Sequence, residues 1–474
     1  MTSGAASGHR SAVVIGAGIA GLCAARSLAG HVERVVLVER DRLPDGPVTR
    51  SGVPQAHHIH ALTTGGQRAL ERLFPGFQEQ LIRRGGYPLA VPTDVLLLTP
   101  TGWQRRFPAT HTLLCASREL IEWTIRQHMS GCPGLTILDG HEVFGLRLRS
   151  HGTSIAGVEL QARRESGPPH YLSADIVVDA SGRGSRMPAW LSAHGFGRPA
   201  ETCIDAGAGY ASRRYLVPDG ADRDWKALML LPKPPDFTRA GVLSPIEDRQ
   251  WIVTLVGLGA DGPPVDDAGF LAFARGIRSP LLFEAIDGAV PNSPIHGARH
   301  TSNRRRHYER MTRWPRGLLV VRDAVCCLNP VYGQGMSIAA LTAVAIDDML
   351  RAAAGRRDSD VHQGIDHSAQ RTLASYTRDA WTVATGADLR FATTTGARPG
   401  IRHRLFHRYL DRVSHVANHD RHVFRALRDI AYLVRPPATV LRPSVVARVL
   451  YGRRETQIDT PPTNARSSET TTGR

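Results

Sequence analysis

The sequence predicts an α/β protein: a parallel sheet wrapped by helices, with an inserted β-rich layer and a helical C-terminal region. Three observations carry that expectation. Residues 11–40 read as an apolar strand, a Gly-rich turn, a small-residue helix and a second apolar strand ("SAVVIG", "AGIAGLCAARSLAG", "VERVVLVER"). Residues 203–300 change to short runs with alternating faces. Beyond residue 363, apolar residues recur at helical spacing.

Each element follows in order. Residues 61–74 and 117–130 read as helices, and "LTIL", "EVFGLRLRS", "IAGVELQARR" and "ADIVVDAS" as strands, with "ESGPPH" a hairpin turn. In the inserted layer, "AGYASRRYLV", "ALMLLP", "GVLSPI" and "WIVTLVGLG" are strand-like, and "DAGFLAFARGI" is a helix. "GLLVV" at 317–321 returns to the core-strand style, and a long helix runs from about Met336 to Ala354. Leu405, Tyr409, Val413 and Val416, then Phe424, Leu427, Ile430 and Val434, form stripes expected to face a core. The expected division is a disordered lead (1–10), one discontinuous unit (11–200 with 301–360), an inserted sheet (201–300), a helical region (361–455) and a polar disordered tail (456–474).

A chain of 474 residues with 42% hydrophobic and 22% charged residues is ordinary for a globular protein of two packed units. No apolar run approaches the ~20 residues that span a bilayer, and "MTSGAASGHR" lacks a signal-peptide core, so a cytoplasmic protein with no integral membrane segment is expected. Six scattered cysteines form no CxxC pair, which argues against both a disulfide framework and a zinc site. The formal charge is +16, yet among 59 basic residues only Lys226 and Lys233 are lysine. Such arginine usage points to a GC-rich genome, and no basic-aromatic nucleic-acid module is present. Residues 401–474 carry 14 Arg against 6 acidic residues, read here as a solvated helical face, with an acidic partner as the alternative.

The chemistry-bearing motif is "GAGIAG". Gly16, Gly18 and Gly21 stand in GxGxxG spacing after a strand and at the opening of a helix. Gly16 permits the tight turn, Gly18 admits a pyrophosphate, and Gly21 lets the helix pack on the sheet. The helix N-terminus offers the phosphates its partial positive charge. Glu39 ends the second strand, placed to accept from ribose hydroxyls, with Arg40 beside it. This spacing alone leaves NAD and FAD both open.

Other segments resemble a family. "GAGIAG…VER", "SRELIEWTI", "DIVVDASGRGS" and "RDAVCCLNPVYGQGMS" fall in the order seen in FAD-dependent aromatic hydroxylases and epoxidases, over residues 11–355. "RSGVPQAHHIHAL", "GWQRRFP", "DASGRGS" and "NPVYGQGMS" resemble the bacterial flavin epoxidases of polyether-ionophore (antibiotic) biosynthesis, of the lasalocid and monensin type. The resemblance implies a Rossmann-like FAD-binding domain with an inserted substrate sheet. It puts Gly16, Gly18, Gly21, Glu39 and Arg40 on the ADP half of FAD, with Arg118 at the pyrophosphate and Arg50 near the phosphate and flavin side. It also puts Val143 backbone at the adenine, Asp323 at ribityl and phosphate oxygens, and Pro330 through Met336, including Gly333 and Gly335, along the isoalloxazine ring. Glycines there let backbone approach a planar ring. Cys326 and Cys327 are then packing residues.

One departure stands out. The family has Gly immediately before the aspartate, and this chain has Arg322. The resemblance further implies a monooxygenase that transfers one oxygen of O2 through a flavin C4a-hydroperoxide, with NAD(P)H or a flavin reductase as electron source. The expected substrate is a lipophilic polyketide-like or terpenoid alkene, with an aromatic ring or a redox-silent binding role as alternatives. Tyr210, Met229, Leu231 and Trp251 are the expected substrate-side wall, and no acid–base residue is assigned. His57, His58 and His60 ("AHHIH") lack the spacing and partners of a metal site and are read as a flavin-side loop.

Overall fold

The computed structural model describes residues 10–163, 168–220, 223–299, 301–354, 365–398, 400–452 and 455–463. Most of the expected lead, the first half of the "ESGPPH" turn, the 360/361 boundary and the end of the tail lie outside these residues. Five parallel strands form the first sheet, in the order Leu318–Val320, Ile176–Asp179, Ser11–Ile15, Arg34–Glu39 and Leu135–Asp139. Its central strands are apolar on both faces because both are covered. Ala12, Val14, Val35 and Leu37 pack against the helices Ile19–Ala29, Arg118–Met129 and Gly335–Ala354. Val13, Ile15, Val36 and Val38 face a three-stranded antiparallel sheet (His141–Leu148, Ile155–Ala162, His170–Ser173) on the other side.

Seven strands build the second sheet: His296–Ala298, Gly209–Leu216, Gln250–Gly257, Ala240–Ile246, Ala227–Leu230, Val95–Thr99 and Gly102–Trp103. Helices Asp267–Arg275 and Leu281–Ile286 bury one face, where Phe270 and Leu282 meet Tyr215, Trp251 and Leu255. The other face looks toward the turns of the first sheet.

Three expectations need correction. The sheet is not confined to 201–300: Val95–Thr99 pairs in parallel with Ala227–Leu230, a non-local partner that local pattern does not reveal. The tail is not wholly loose, since Ile458 O accepts from Trp103 N at 2.8 Å and its side chain packs on the second sheet's core. Leu405 is 58% exposed, although Val413 and Val416 on its stripe are buried, because its helix (Ile401–Ala417) projects past the packed region at its N-terminal end. A smaller difference lies at 61–74, where Ala61–Thr63 is a strand and the helix begins at Thr64.

The Gly-rich turn depends on two backbone contacts. Gly16 has φ +96°, and its N–H donates to Val38 O at 2.7 Å. A Cβ at Gly21 would lie 1.7 Å from Gly16 O. Because backbone is the obstacle, no rotamer relieves it. Gly21→Ala should therefore cost about 3 kcal/mol or more, whereas Gly30→Ala, with nothing within 4 Å of its Cβ position, should stay within about 0.5 kcal/mol. Denaturant titrations of the two variants beside the parent chain check this contrast.

Candidate functional site

The helix Ile19–Ala29 opens at Gly18 with no side-chain cap and no acidic residue in its first turn. A Cβ at Gly18 would meet only Arg118 Nη2, at 3.9 Å. The helix start is thus open to an anion, with unpaired N–H groups pointing outward. Buried charges converge behind it. Arg50 Nε lies 3.0 Å from Glu122 Oε1, Nη1 lies 3.1 Å from Asp41 Oδ2 and 3.2 Å from Glu39 Oε2, and Nη2 donates to Ala17 O at 3.2 Å. Arg118 pairs with Glu122 at 2.9 Å, while its Nη1, though buried, has no hydrogen-bond partner among the described residues. An orphaned guanidinium N–H beside an open glycine suits a phosphate oxygen.

Glu39 is buried, and its carboxylate accepts from Ala17 N at 2.7 Å and Asp41 N at 3.0 Å. It therefore braces the Gly-rich turn, and its oxygens are already engaged where a ribose acceptor was expected. Arg40 is exposed at the strand end. Val143 is buried among Val36, Val38 and Leu160. Asp41 and Glu122 escaped the sequence reading: Asp41, which holds Gly52 N at 2.7 Å as well as Arg50, lies just past the quoted "VER", and Glu122 lies inside "SRELIEWTI" with only Arg118 singled out there. "DASGRGS" is a turn whose Asp179 accepts from Ser181 and Ser185 hydroxyls, both at 2.5 Å, and burial pushes that carboxyl up.

At the far end lies the turn 322–336. Cys326 and Cys327 form a two-residue strand beside Arg304 and Arg305, and burial pushes their thiols up to about 12 and about 11, so they are inert packing groups. Asn329 N donates to Asn303 Oδ1 at 2.7 Å, and Asn303 Nδ2 donates to Asp388 Oδ2 at 2.6 Å. The Tyr332 hydroxyl donates to Asp388 Oδ1. Tyr210 reaches across from the second sheet, donating to Asn329 Oδ1 and accepting from Val331 N at 3.0 Å. Pro330 and Gly333 are exposed at the turn, Gly333 with φ +61° and open space around its Cβ position. The Met336 side chain is buried in the first sheet's core, and its backbone lies at the start of the helix Gly335–Ala354.

Arg322 carries φ +52°, a left-handed conformation that costs a non-glycine residue about 1–2 kcal/mol. Its guanidinium donates from Nε to Gly335 O and from Nη1 to Cys326 O, each at 2.7 Å, and Nη1 lies 2.6 Å from Asp323. A Cβ at Gly335 would sit 2.7 Å from Arg322 Nη2. Gly335 thus leaves room for this guanidinium, where a planar ring was expected.

The four expected substrate residues do not come together. Tyr210 pairs with Val256 and Tyr215 with Trp251, so period two puts Trp251 on the opposite, helix-covered face. Met229 shares Tyr210's face but packs toward the C-terminal helices, and Leu231 follows the end of its strand. Tyr210 alone adjoins the turn. It also borders an open cleft of about 370 Å³ lined by Gly209, Pro263, Val265, Ile295 and Gly297.

The histidine loop closes the gap between the sheets. His58 Nδ1 lies 2.8 Å from Ser212 Oγ, which lies 2.7 Å from Thr254 Oγ1. His57 stacks on His296 at 3.7 Å, and His60 Nδ1 bonds His58 O. Among the described residues no three His, Cys, Asp or Glu side chains are placed to hold a metal ion. Burial lowers His58 to about 4 and His60 to about 3, the latter helped by Arg118. Unfolded imidazoles titrate near ~6.5. As pH falls through that value the unfolded chain takes up protons that the folded chain refuses, so stability falls steadily down to the folded values. Melting temperatures measured from pH 7 to pH 4 should decline, and His58→Leu should flatten the slope.

A family model described as FAD dependent oxidoreductase matches residues 12–203. Protein Rv3254 of Mycobacterium tuberculosis is 32% identical over 394 residues, covering 81% of each chain. The crystal structure of PqsL, a probable FAD-dependent monooxygenase from Pseudomonas aeruginosa, aligns with a TM-score of 0.59 at 18% identity, over 81% of this chain and 99% of that one. The flavin-dependent brominase Bmp2 aligns with a TM-score of 0.63 at 15% identity, over 94% and 100%. At such identities these two structures establish the shared fold. With its Gly-rich turn, its orphaned arginine donor and a relative this close over most of its length, the chain belongs to the FAD-dependent oxidoreductases, and FAD is its cofactor.

Proposed function

We propose that the protein is a FAD-dependent monooxygenase acting on a lipophilic substrate, most specifically an epoxidase of polyketide-like or terpenoid alkenes. Tyr210 carries this reading: its side chain anchors the 329–336 turn, while its strand lines the cleft through Gly209 on the opposite face. Gly16, Gly18, Gly21 and Arg118 would hold the pyrophosphate, Arg50 and Asp323 the adjoining segment, and the backbone of Pro330 to Met336 the ring. When bound, FAD supplies the activation of O2 and the transfer of one oxygen atom. The chain's own part is to position and to exclude water: Val265, Ile295 and Pro263 offer apolar walls, and Tyr210 holds the turn at a fixed distance from them. An aromatic-ring hydroxylase would use the same arrangement. The electron source remains NAD(P)H directly or a flavin reductase.

A second reading follows from Arg322. A guanidinium buried against Gly335 competes for space with a ring laid along this turn, which favours a protein that retains FAD without turning over.

The purified protein should be yellow and release FAD on denaturation, and Gly18→Asp, which sets a carboxylate where the phosphates go, should lose the colour. Fluorescence titration of apoprotein should show tighter FAD binding by Arg322→Gly than by the parent chain. Incubation with lipophilic alkenes and a reductant should give a product heavier by one oxygen atom, read by mass spectrometry. An arene product instead of an epoxide would select the hydroxylase, and uncoupled FAD reduction with no oxygenated product would select the redox-silent reading.

A further inference from the structure

The C-terminal helices present an apolar surface that the described chain leaves uncovered. Ile401 is 69% exposed, Leu405 58%, Phe406 42%, Leu441 55%, Leu450 53% and Tyr451 86%. Contacts bring the segments that carry these residues side by side. Phe406 stacks on Tyr409 at 6.2 Å, and the Tyr409 hydroxyl donates to Val440 O at 2.6 Å, next to Leu441. Arg412 Nε donates to Val449 O at 2.9 Å, next to Leu450. Isolated exposed apolar residues are ordinary, but a cluster this size marks an interaction surface.

Charge identifies what covers it. Residues 400–410 and 430–454 contain no acidic residue, and Arg404, Arg408 and Arg442 are exposed among the apolar side chains. The acids nearest in sequence are already engaged: Asp411 with Arg390, Asp420 with Arg448, Asp429 with His111 and Arg435, and Glu455 with Arg105. A second copy docked face to face would set arginine against arginine, a repulsive arrangement. The segments 1–9, 355–364 and 464–474 are polar and hold only Met1 and Val361 as large aliphatic residues, so their composition does not match an apolar face. What combines an apolar interior with an anionic surface is a phospholipid bilayer.

We infer that the helices Ile401–Ala417 and Pro443–Tyr451 form a membrane-surface docking face for anionic lipid. Apolar side chains enter the headgroup–acyl boundary, and Arg404, Arg408 and Arg442 meet lipid phosphates. No helix among the described residues is long and apolar enough to cross a membrane, so docking is peripheral. The inference is independent of the oxygenation chemistry.

The test uses the full-length holoprotein and sedimentation with vesicles of phosphatidylcholine alone or mixed with phosphatidylglycerol. The protein should pellet with the anionic vesicles, stay in solution with the neutral ones, and come off at high salt. Leu405→Glu with Phe406→Glu should weaken binding at least about tenfold, and Arg404→Glu with Arg408→Glu should do the same, since each arginine near an anionic surface strengthens attachment. Unchanged melting temperature and FAD content in these variants would exclude misfolding. Three outcomes would overturn the inference: equal pelleting with both vesicle types, no pelleting with either, or a concentration-dependent dimer in sedimentation velocity that Leu405→Glu abolishes.

Discussion

The turn at Asn329–Gly335 hangs from hydrogen bonds supplied by three distant parts of the chain, and the rest of the site is arranged around it. Tyr210 comes from the second sheet, Asn303 from the strand Asn303–Arg306, and Asp388 from the end of the helix His367–Asp388. Asp388 is almost wholly buried, and burial pushes its carboxyl up while Tyr332 and Asn303 hold it down. Each such bond contributes only about 1 kcal/mol net, but losing one leaves a buried partner unsatisfied at a larger cost. The network acts as a unit because its members share partners. It locks the spacing between sheet and turn.

At the opposite end the same problem is solved with charge. Arg50 and Arg118 share Glu122, and Arg50 also meets Glu39 and Asp41, so a group of ions survives burial by mutual pairing. Glu39 and Asp41 spend their oxygens on backbone N–H groups of the turn and loop they stabilise. What is left over is one arginine N–H of Arg118 and an uncapped helix start. Preorganisation of this kind lets an anion bind without rearranging its donors.

Arg322 breaks the local rules. A left-handed backbone and a buried guanidinium are both costly, and the structure keeps them together through carbonyl oxygens of Gly335 and Cys326. Asp248, Arg249 and Leu433 share its positive φ, but Arg322 is the one of the four that sits at the turn 322–336. The arginine-rich surface is of another kind: where carboxylates lie nearby the arginines pair with them, as Arg448 does with Asp420, while among the described residues Arg404, Arg408 and Arg442 make no ion pair.

Much of the architecture was legible because it is periodic and local. Alternation of Val13, Val14, Ile15 and Val36, Leu37, Val38 is a two-sided buried strand read directly, and Gly16, Gly18 and Gly21 owe their spacing to one turn and one helix. Position across the fold was not legible. Tyr210 and Trp251 look alike as apolar strand residues, and only the pairing register assigns them to opposite faces. Asp388 lies 56 residues from Tyr332 in an ordinary helix, and nothing in its neighbourhood announces a role. Val95–Thr99 reads as a generic strand until Ala227–Leu230 is found beside it, and Leu405 follows a core stripe that its helix carries into solvent. The amino-acid order by itself therefore determined the dinucleotide turn and the parallel sheet, whose signals span a few residues. The tertiary structure decided the ion cluster, the suspended turn and the exposed C-terminal face, because these arise where segments tens of residues or more apart are brought into contact.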